Sequence, residues 1–133
     1  MLAKNSAGGL CIAFPDVCLT PAPPAPAPVP IPYPNIAVEP TDLAFVPNVL
    51  LTCAPAHTLA SQPPLSNGDN TGVAMGVASG TVMGPARTVT GAFTVLVGCM
   101  PLARLTSITI QNSTNAPGAK VVPSVTNVLV LAP

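Results

Sequence analysis

The chain has 133 residues, with four Lys plus Arg, four Asp plus Glu, one His, no Trp and a formal net charge of zero. Charged residues make up 6 % of it, against about 25 % in an average soluble protein, which excludes the basic footprint of a nucleic-acid binder or of a protein held to an anionic membrane. A chain of this length forms one domain; its supply of side chains predicts a core of Val, Leu, Ala and Met with almost no aromatic filling, not a conventional thick one, and a poorly charged surface that invites an obligate partner.

Near the N-terminus, Gly8-Gly9 and Pro15 interrupt the apolar residues that follow Lys4, so no run has signal-peptide length. No stretch approaches the roughly 20 apolar residues of a membrane span. The chain is therefore expected to be made and kept in the cytoplasm until some machine moves it, with Cys11, Cys18, Cys53 and Cys99 as thiols. Residues 1–47 hold most of the prolines, and the alternating tract from Pro21 to Pro34 predicts an extended or polyproline II strap lying against the domain. The same tract has the Pro-x-x-Pro spacing that SH3-type and WW-type modules grip. Ile31, Tyr33 and Ile36, interleaved with the prolines, favour the strap.

Beyond the strap the chain repeats itself. Val49-Leu50-Leu51-Thr52-Cys53-Ala54-Pro55-Ala56-His57-Thr58-Leu59 is echoed by Val95-Leu96-Val97-Gly98-Cys99-Met100-Pro101-Leu102-Ala103-Arg104-Leu105, and more briefly by Val128-Leu129-Val130-Leu131. Aliphatic alternation around a turn at Thr52 to Pro55 reads as a hairpin. The related β-units are placed at 48–61, 85–111 and 117–131, with strands near 47–52, 56–60, 93–98, 102–106 and 127–131. Between the first two units, Pro63 to Gly84 is rich in turn residues, notably Ser66-Asn67-Gly68-Asp69. No helix longer than about ten residues is expected. One hairpin cannot bury its apolar face alone, whereas related units packed around a common axis can, so the predicted fold is all-β and symmetric.

Phe14-Pro15-Asp16-Val17-Cys18 followed by Pro28-Val29-Pro30-Ile31-Pro32-Tyr33-Pro34-Asn35-Ile36-Ala37 resembles the signature of PIPY-type PAAR-like proteins of contractile injection systems. Pro55-Ala56-His57, Ser66-Asn67-Gly68-Asp69 and Met83-Gly84-Pro85 are similar to later landmarks of that family, and Pro101-Leu102-Ala103-Arg104 stands where its Pro-Ala-Ala-Arg does. The resemblance implies a small cone of three hairpin-like units, spanning residues 1–133 as one domain, that caps the blunt end of a trimeric VgrG-like β-helical spike, sharpens it for membrane puncture and helps load effectors. One chain per trimer is expected, with Ala54 and Met100, at repeat-equivalent turns, on the contact surface. The target membrane is met only during puncture, when the protein is exported at the tip of the apparatus.

The resemblance also implies a tip zinc, held in the usual PAAR protein by three histidines and a cysteine. With His57 as the single histidine, that set cannot form here. Cys18 and His57 are the leading candidate ligands, with Cys11, Cys53 and Cys99 as further ones. In extended backbone Cys53 and His57 would lie on the order of 13 Å apart, so only a tight turn at Ala54-Pro55 would unite them. The competing reading makes the cysteines small apolar residues and His57 a satisfied strand residue. An enzyme is not expected, because His57 has no acidic neighbour in sequence, and Asp16, Glu39, Asp42 and Asp69 are scattered. A secreted effector, toxin or small hydrolase is the alternative; because the sequence ends at Pro133, just after the last strand, any cargo is expected on a separate chain.

Overall fold

A computed structural model describes residues 1–132. The fold is β throughout, with strands β1 (Leu10–Thr20), β2 (Val29–Val38), β3 (Val46–Leu51), β4 (Ala54–Ala56), β5 (Arg87–Thr88), β6 (Ala92–Val97), β7 (Met100–Leu102), β8 (Ile108–Gln111) and β9 (Ala116–Val122). The only helical element among the described residues is a three-residue 3-10 turn, Glu39–Thr41. A five-stranded antiparallel sheet runs β2-β1-β9-β8-β5, and two separate hairpins, β3-β4 and β6-β7, carry the sequence repeat.

Where the sequence predicts an extended or polyproline II strap lying against the domain, the structure has the long β1-β2 hairpin, in which Val29–Val38 is extended and paired with β1. Successive N–H groups along a strand point to opposite edges. Because Pro30, Pro32 and Pro34 alternate with Val29, Ile31 and Tyr33, the missing donors all fall on one edge and the remaining ones serve β1. β2 accordingly sits at the edge of the sheet, and its donor-poor side protects against further strand pairing. In β1 the register slips between Ala13 and Asp16, so buried Cys11 and Ala13 are followed by buried Asp16 and Cys18 instead of the odd positions in between. Pro15, which cannot donate, stands at this bulge.

The two hairpins turn through Thr52-Cys53 and Gly98-Cys99, all four residues having positive φ (50°, 66°, 59° and 65°). Two left-handed residues in a row match the right-handed twist of the flanking strands. The return strands are shorter than expected: β4 is Ala54–Ala56 and β7 is Met100–Leu102, because beyond them each chain leaves its hairpin to pair with a neighbouring unit. The third unit is not contained within residues 117–131. Strand β9 belongs to the large sheet, and the segment around Leu129 pairs with Leu2, so residues 1–6 supply the return strand that the third echo lacks.

Two closed triangles of backbone hydrogen bonds join the units. Lys4 N–H donates to Ala103, Ala103 to His57 and His57 to Lys4, at 3.1, 2.9 and 3.0 Å; two residues on, Ser6 donates to Pro55, Leu59 to Pro101 and Leu105 to Leu2, at 3.0, 3.0 and 2.8 Å. Lys4, His57 and Ala103 are thereby equivalent positions about a pseudo-three-fold axis. In the same alignment Leu50, Leu96 and Leu129 correspond, and they are 58, 63 and 61 % exposed. Inside, Ala3, Ala56, Ala92, Leu102, Val125 and Val130 form a thin apolar cluster.

The expected core of Val, Leu, Ala and Met is reduced to that cluster and a smaller one of Cys11, Ala37 and Ala86, and none of the buried residues is a methionine. The bulkiest fully buried side chains are Lys4, Lys120, His57, Gln111 and Glu39, whereas Phe14, Leu50, Phe93 and Leu131 are exposed. Both lysines and the four Asp and Glu side chains are buried, leaving Arg87, exposed, and Arg104, half-buried, as the side-chain cations reaching solvent. Glu39 holds Lys4 at 2.5 Å and Lys120 at 2.7 Å, and Lys4 also donates to the Val122 carbonyl at 2.5 Å. Replacing Glu39 by Ala strands two buried ammonium groups, for which a loss of about 3–5 kcal/mol is expected. Leu50→Ser on the outer face is expected to change stability by less than about 0.5 kcal/mol. Urea unfolding of the two variants checks the contrast.

Candidate functional sites

The motifs at Phe14–Cys18, Pro28–Ala37, Ser66–Asp69 and Met83–Pro85 are far apart in the chain and meet in one buried cluster. Asp16 and Cys18 come from β1 just past its bulge, Asn35 from β2, and Asp69 from the turn-rich loop. The Cys18 thiol lies 3.4 Å from Asp16 Oδ1 and 3.6 Å from Asp69 Oδ2. A Cβ at Gly72 would fall onto Cys18 Cβ, so glycine there lets the loop close over the cysteine.

Three asparagines complete the cluster, each with its amide orientation fixed from behind. Asn35 Oδ1 accepts Ile36 N–H, Asn112 Oδ1 accepts Gly84 N–H, and Asn115 Oδ1 accepts Ala78 N–H. Their amino groups therefore point inward. Asn35 donates to Asp16 Oδ2 at 2.7 Å, Asn112 to Asp69 Oδ2 at 2.8 Å, and Asn115 to Asp16 Oδ1. Met83 N–H adds a bond of 3.0 Å to Asp69. Burial, reinforced by the bond to Asp16, pushes the Cys18 thiol up to about 12.

Among the described residues, Asp16, Cys18 and Asp69 are the one group of three or more ligating side chains converging closely enough to hold a metal ion. Two carboxylates and a thiol suit a divalent cation in donor type and charge. The family's usual zinc set of three histidines and a cysteine does not fit. Of the sequence-predicted ligands, Cys18 lies in this group, while Cys11 lies beside Glu39 and Lys120, and Cys53 and Cys99 are exposed at their hairpin turns. The partners that sequence reasoning missed are Asp16 and Asp69; the Asp-x-Cys spacing, which puts both side chains on one strand face, was the available signal for Asp16.

His57 belongs to a different buried cluster, next to the Lys4–Glu39–Lys120 network. Its Nδ1 lies 3.2 Å from Asp42 Oδ2, and its Nε2 lies 2.9 Å from the hydroxyl of Ser6. Asp42 caps the 3-10 turn, and Ser6 follows the N-terminal arm. Neither partner is close to His57 in sequence, and the three-fold packing unites them. Ala54 and Met100 hold equivalent places at the start of the return strands, the first half-buried and the second exposed.

Burial raises the Asp42 carboxyl from 3.8 to about 7, with Lys120 acting against it, and burial lowers the His57 imidazole from 6.5 to about 4. The raised Asp42 value contributes stability present below pH 3.8 and lost as pH rises towards 7. The lowered His57 value contributes stability present above pH 6.5 and lost as pH falls towards 4. In the overlap the folded pair holds one proton on Asp42, the unfolded pair holds one on His57, and the two slopes cancel. Thermal melts across this range are expected to show little dependence from the pair in the wild type. Asp42→Asn should lose stability on acidification from pH 6.5 to 4, and His57→Gln should lose it as pH rises from 4 to 7.

No curated protein and no solved structure matches the chain. Residues 9–118 match the model of a family described as the toxin PAAR-like domain. That span holds both complete hairpins, the Asp16–Cys18–Asp69 cluster and the Asp42–His57 pair, and so on sequence and architecture together the chain belongs to the toxin PAAR-like domain family.

Proposed function

We propose that this protein caps the end of a trimeric VgrG-like spike of a contractile injection system, one chain per trimer, and sharpens it for membrane puncture. The observation that carries the reading is the pair of closed backbone triangles, which sets three β-units around one axis and gives each an exposed leucine at the same position. A single chain with pseudo-three-fold symmetry can make the same contact with each subunit of a trimer. Because both lysines and the four Asp and Glu side chains are buried, the contact would be dominated by apolar burial and backbone pairing. Membership of a PAAR-like family supports a spike-associated role. The capping role needs no turnover. The protein would assemble with the spike in the cytoplasm and leave at its tip, with cargo or an adaptor as separate chains.

In this reading a zinc ion would be held by Asp16, Cys18 and Asp69, tying β1 to the loop at Ser66–Gly72. It would supply no chemistry beyond a cross-link, displacing the thiol proton of Cys18. The alternative, that the chain is itself an effector or small hydrolase, draws on the family's toxin description and on the surroundings of His57.

Native mass spectrometry with the cognate spike is expected to give one chain per trimer. Each Leu→Asp change at Leu50, Leu96 or Leu129 should weaken binding about tenfold or more, as the loss of one buried leucine implies, and the pair Ala54→Asp and Met100→Asp should also weaken it. Binding should persist in high salt. Three chains per trimer, or dissociation in moderate salt, would overturn the capping model. For the metal, elemental analysis is expected to give one zinc per chain, lost in Cys18→Ser. Protein free of metal under reducing conditions would assign the cluster to its asparagine hydrogen bonds alone.

A further inference from the structure

The surroundings of His57 contain more than a capping role uses. Ser6 Oγ, His57 Nε2, His57 Nδ1 and Asp42 Oδ2 form a continuous chain with separations of 2.9 and 3.2 Å across the ring. His57 Nδ1 and both Asp42 oxygens are buried without a hydrogen-bond partner, so the 3.2 Å approach is a close polar contact, not a formed hydrogen bond, between two groups that nothing else serves. From these contacts we propose that Ser6 is a nucleophile activated by His57 and Asp42, able to take an acyl group from a small uncharged carboxylic ester. This inference is independent of the spike-capping reading.

Two further observations support it. The first is rigidity. Ser6 N–H donates to Pro55 and His57 N–H donates to Lys4, one bond from each backbone triangle, so hydroxyl and imidazole are held by the same framework and not by a mobile loop. The second is access: His57 and Asp42 are buried, whereas Ser6 is half-buried and its contact with Nε2 lies in a partly buried position. An uncharged ester fits best because Lys4 and Lys120 are buried and paired with Glu39, leaving no free cation beside His57 to recognise an anionic substrate.

With Asp42 ionised, its charge 3.2 Å from Nδ1 favours the tautomer that carries the proton there, and the Nε2 lone pair then faces the Ser6 hydroxyl. As the Oγ–C bond forms, the Ser6 proton passes to Nε2; the C–O bond to the alcohol then breaks and that proton leaves with the alcohol. Water repeats the sequence on the acyl-serine, giving the free acid and restoring Ser6.

The test is covalent labelling of the full chain at pH 8.5 with a fluorophosphonate. The Ser6 oxygen displaces fluoride from phosphorus and His57 takes the proton. Peptide mapping is expected to find the adduct on Ser6, formed at least about tenfold faster than on any other serine. Ser6→Ala should abolish it, His57→Gln should slow it at least about tenfold, and unfolding the wild type in urea should erase the preference. Hydrolysis of p-nitrophenyl acetate should fall in parallel. If Ser6 labels no faster than the other serines of the folded wild type, the proposal is wrong. The same holds if folded His57→Gln labels at the wild-type rate. The wild-type comparison between folded and unfolded chain decides the matter even where His57→Gln does not fold.

Discussion

Glu39 bridging Lys4 and Lys120 is the interaction around which this protein is organised. It joins the N-terminal arm, the 3-10 turn and β9 at one buried point, with Cys11 of β1 against it. Burial alone would lower the lysine pKa, yet Cys11 and Glu39 next to Lys120 outweigh that and hold it above its ordinary value. A buried pair is weak evidence for net stability, since desolvation opposes the attraction, but it is unforgiving of partial occupancy. Only one arrangement of arm, turn and strand satisfies all three charges, so the network specifies register where a thin apolar cluster of alanines and valines would leave it loose.

The outer surface follows from this inward use of charge. With the carboxylates and lysines inside, large apolar side chains such as Leu50, Leu96, Phe93 and Leu131 face outward. On an isolated small protein such a surface favours association. Here it is ordered by the backbone triangles, which repeat the same exposed position three times, so the apolar surface carries the symmetry of the framework beneath it. The polar interior and apolar exterior are thus one arrangement seen from two sides.

The two polar clusters differ in how they are neutralised. Around His57, the lysines pair with Glu39, while burial raises the Asp42 carboxyl and lowers the imidazole, so that the ring and carboxyl exchange their ordinary protonation states. Around Cys18, two carboxylates have no lysine or arginine; amide N–H groups with fixed orientation serve them instead, and a cation would be the other means of balance. Both clusters link distant parts of the chain and take the place of the large apolar core that so short a sequence lacks.

The sequence by itself determined the β character, the repeat and the two hairpins, because alternation, paired turns and copied side chains are local patterns within one or two strands. It also carried the family landmarks in order. What it did not contain in readable form was their convergence. Asp16, Asn35, Ser66, Asp69 and Asn112 lie up to 96 residues apart and meet only when the strands stack. Ser6, Asp42 and His57 likewise meet only across the three-fold packing, and the missing return strand of the third unit is supplied by the opposite end of the chain. Composition implied an apolar core because it counts side chains without placing them. Tertiary structure decided that both lysines and the Asp and Glu side chains go inside, where Glu39 is paired with two lysines and Asp16 and Asp69 are served by amide N–H groups, and that Phe14, Phe45 and Phe93 with leucines such as Leu50, Leu96 and Leu129 go outside.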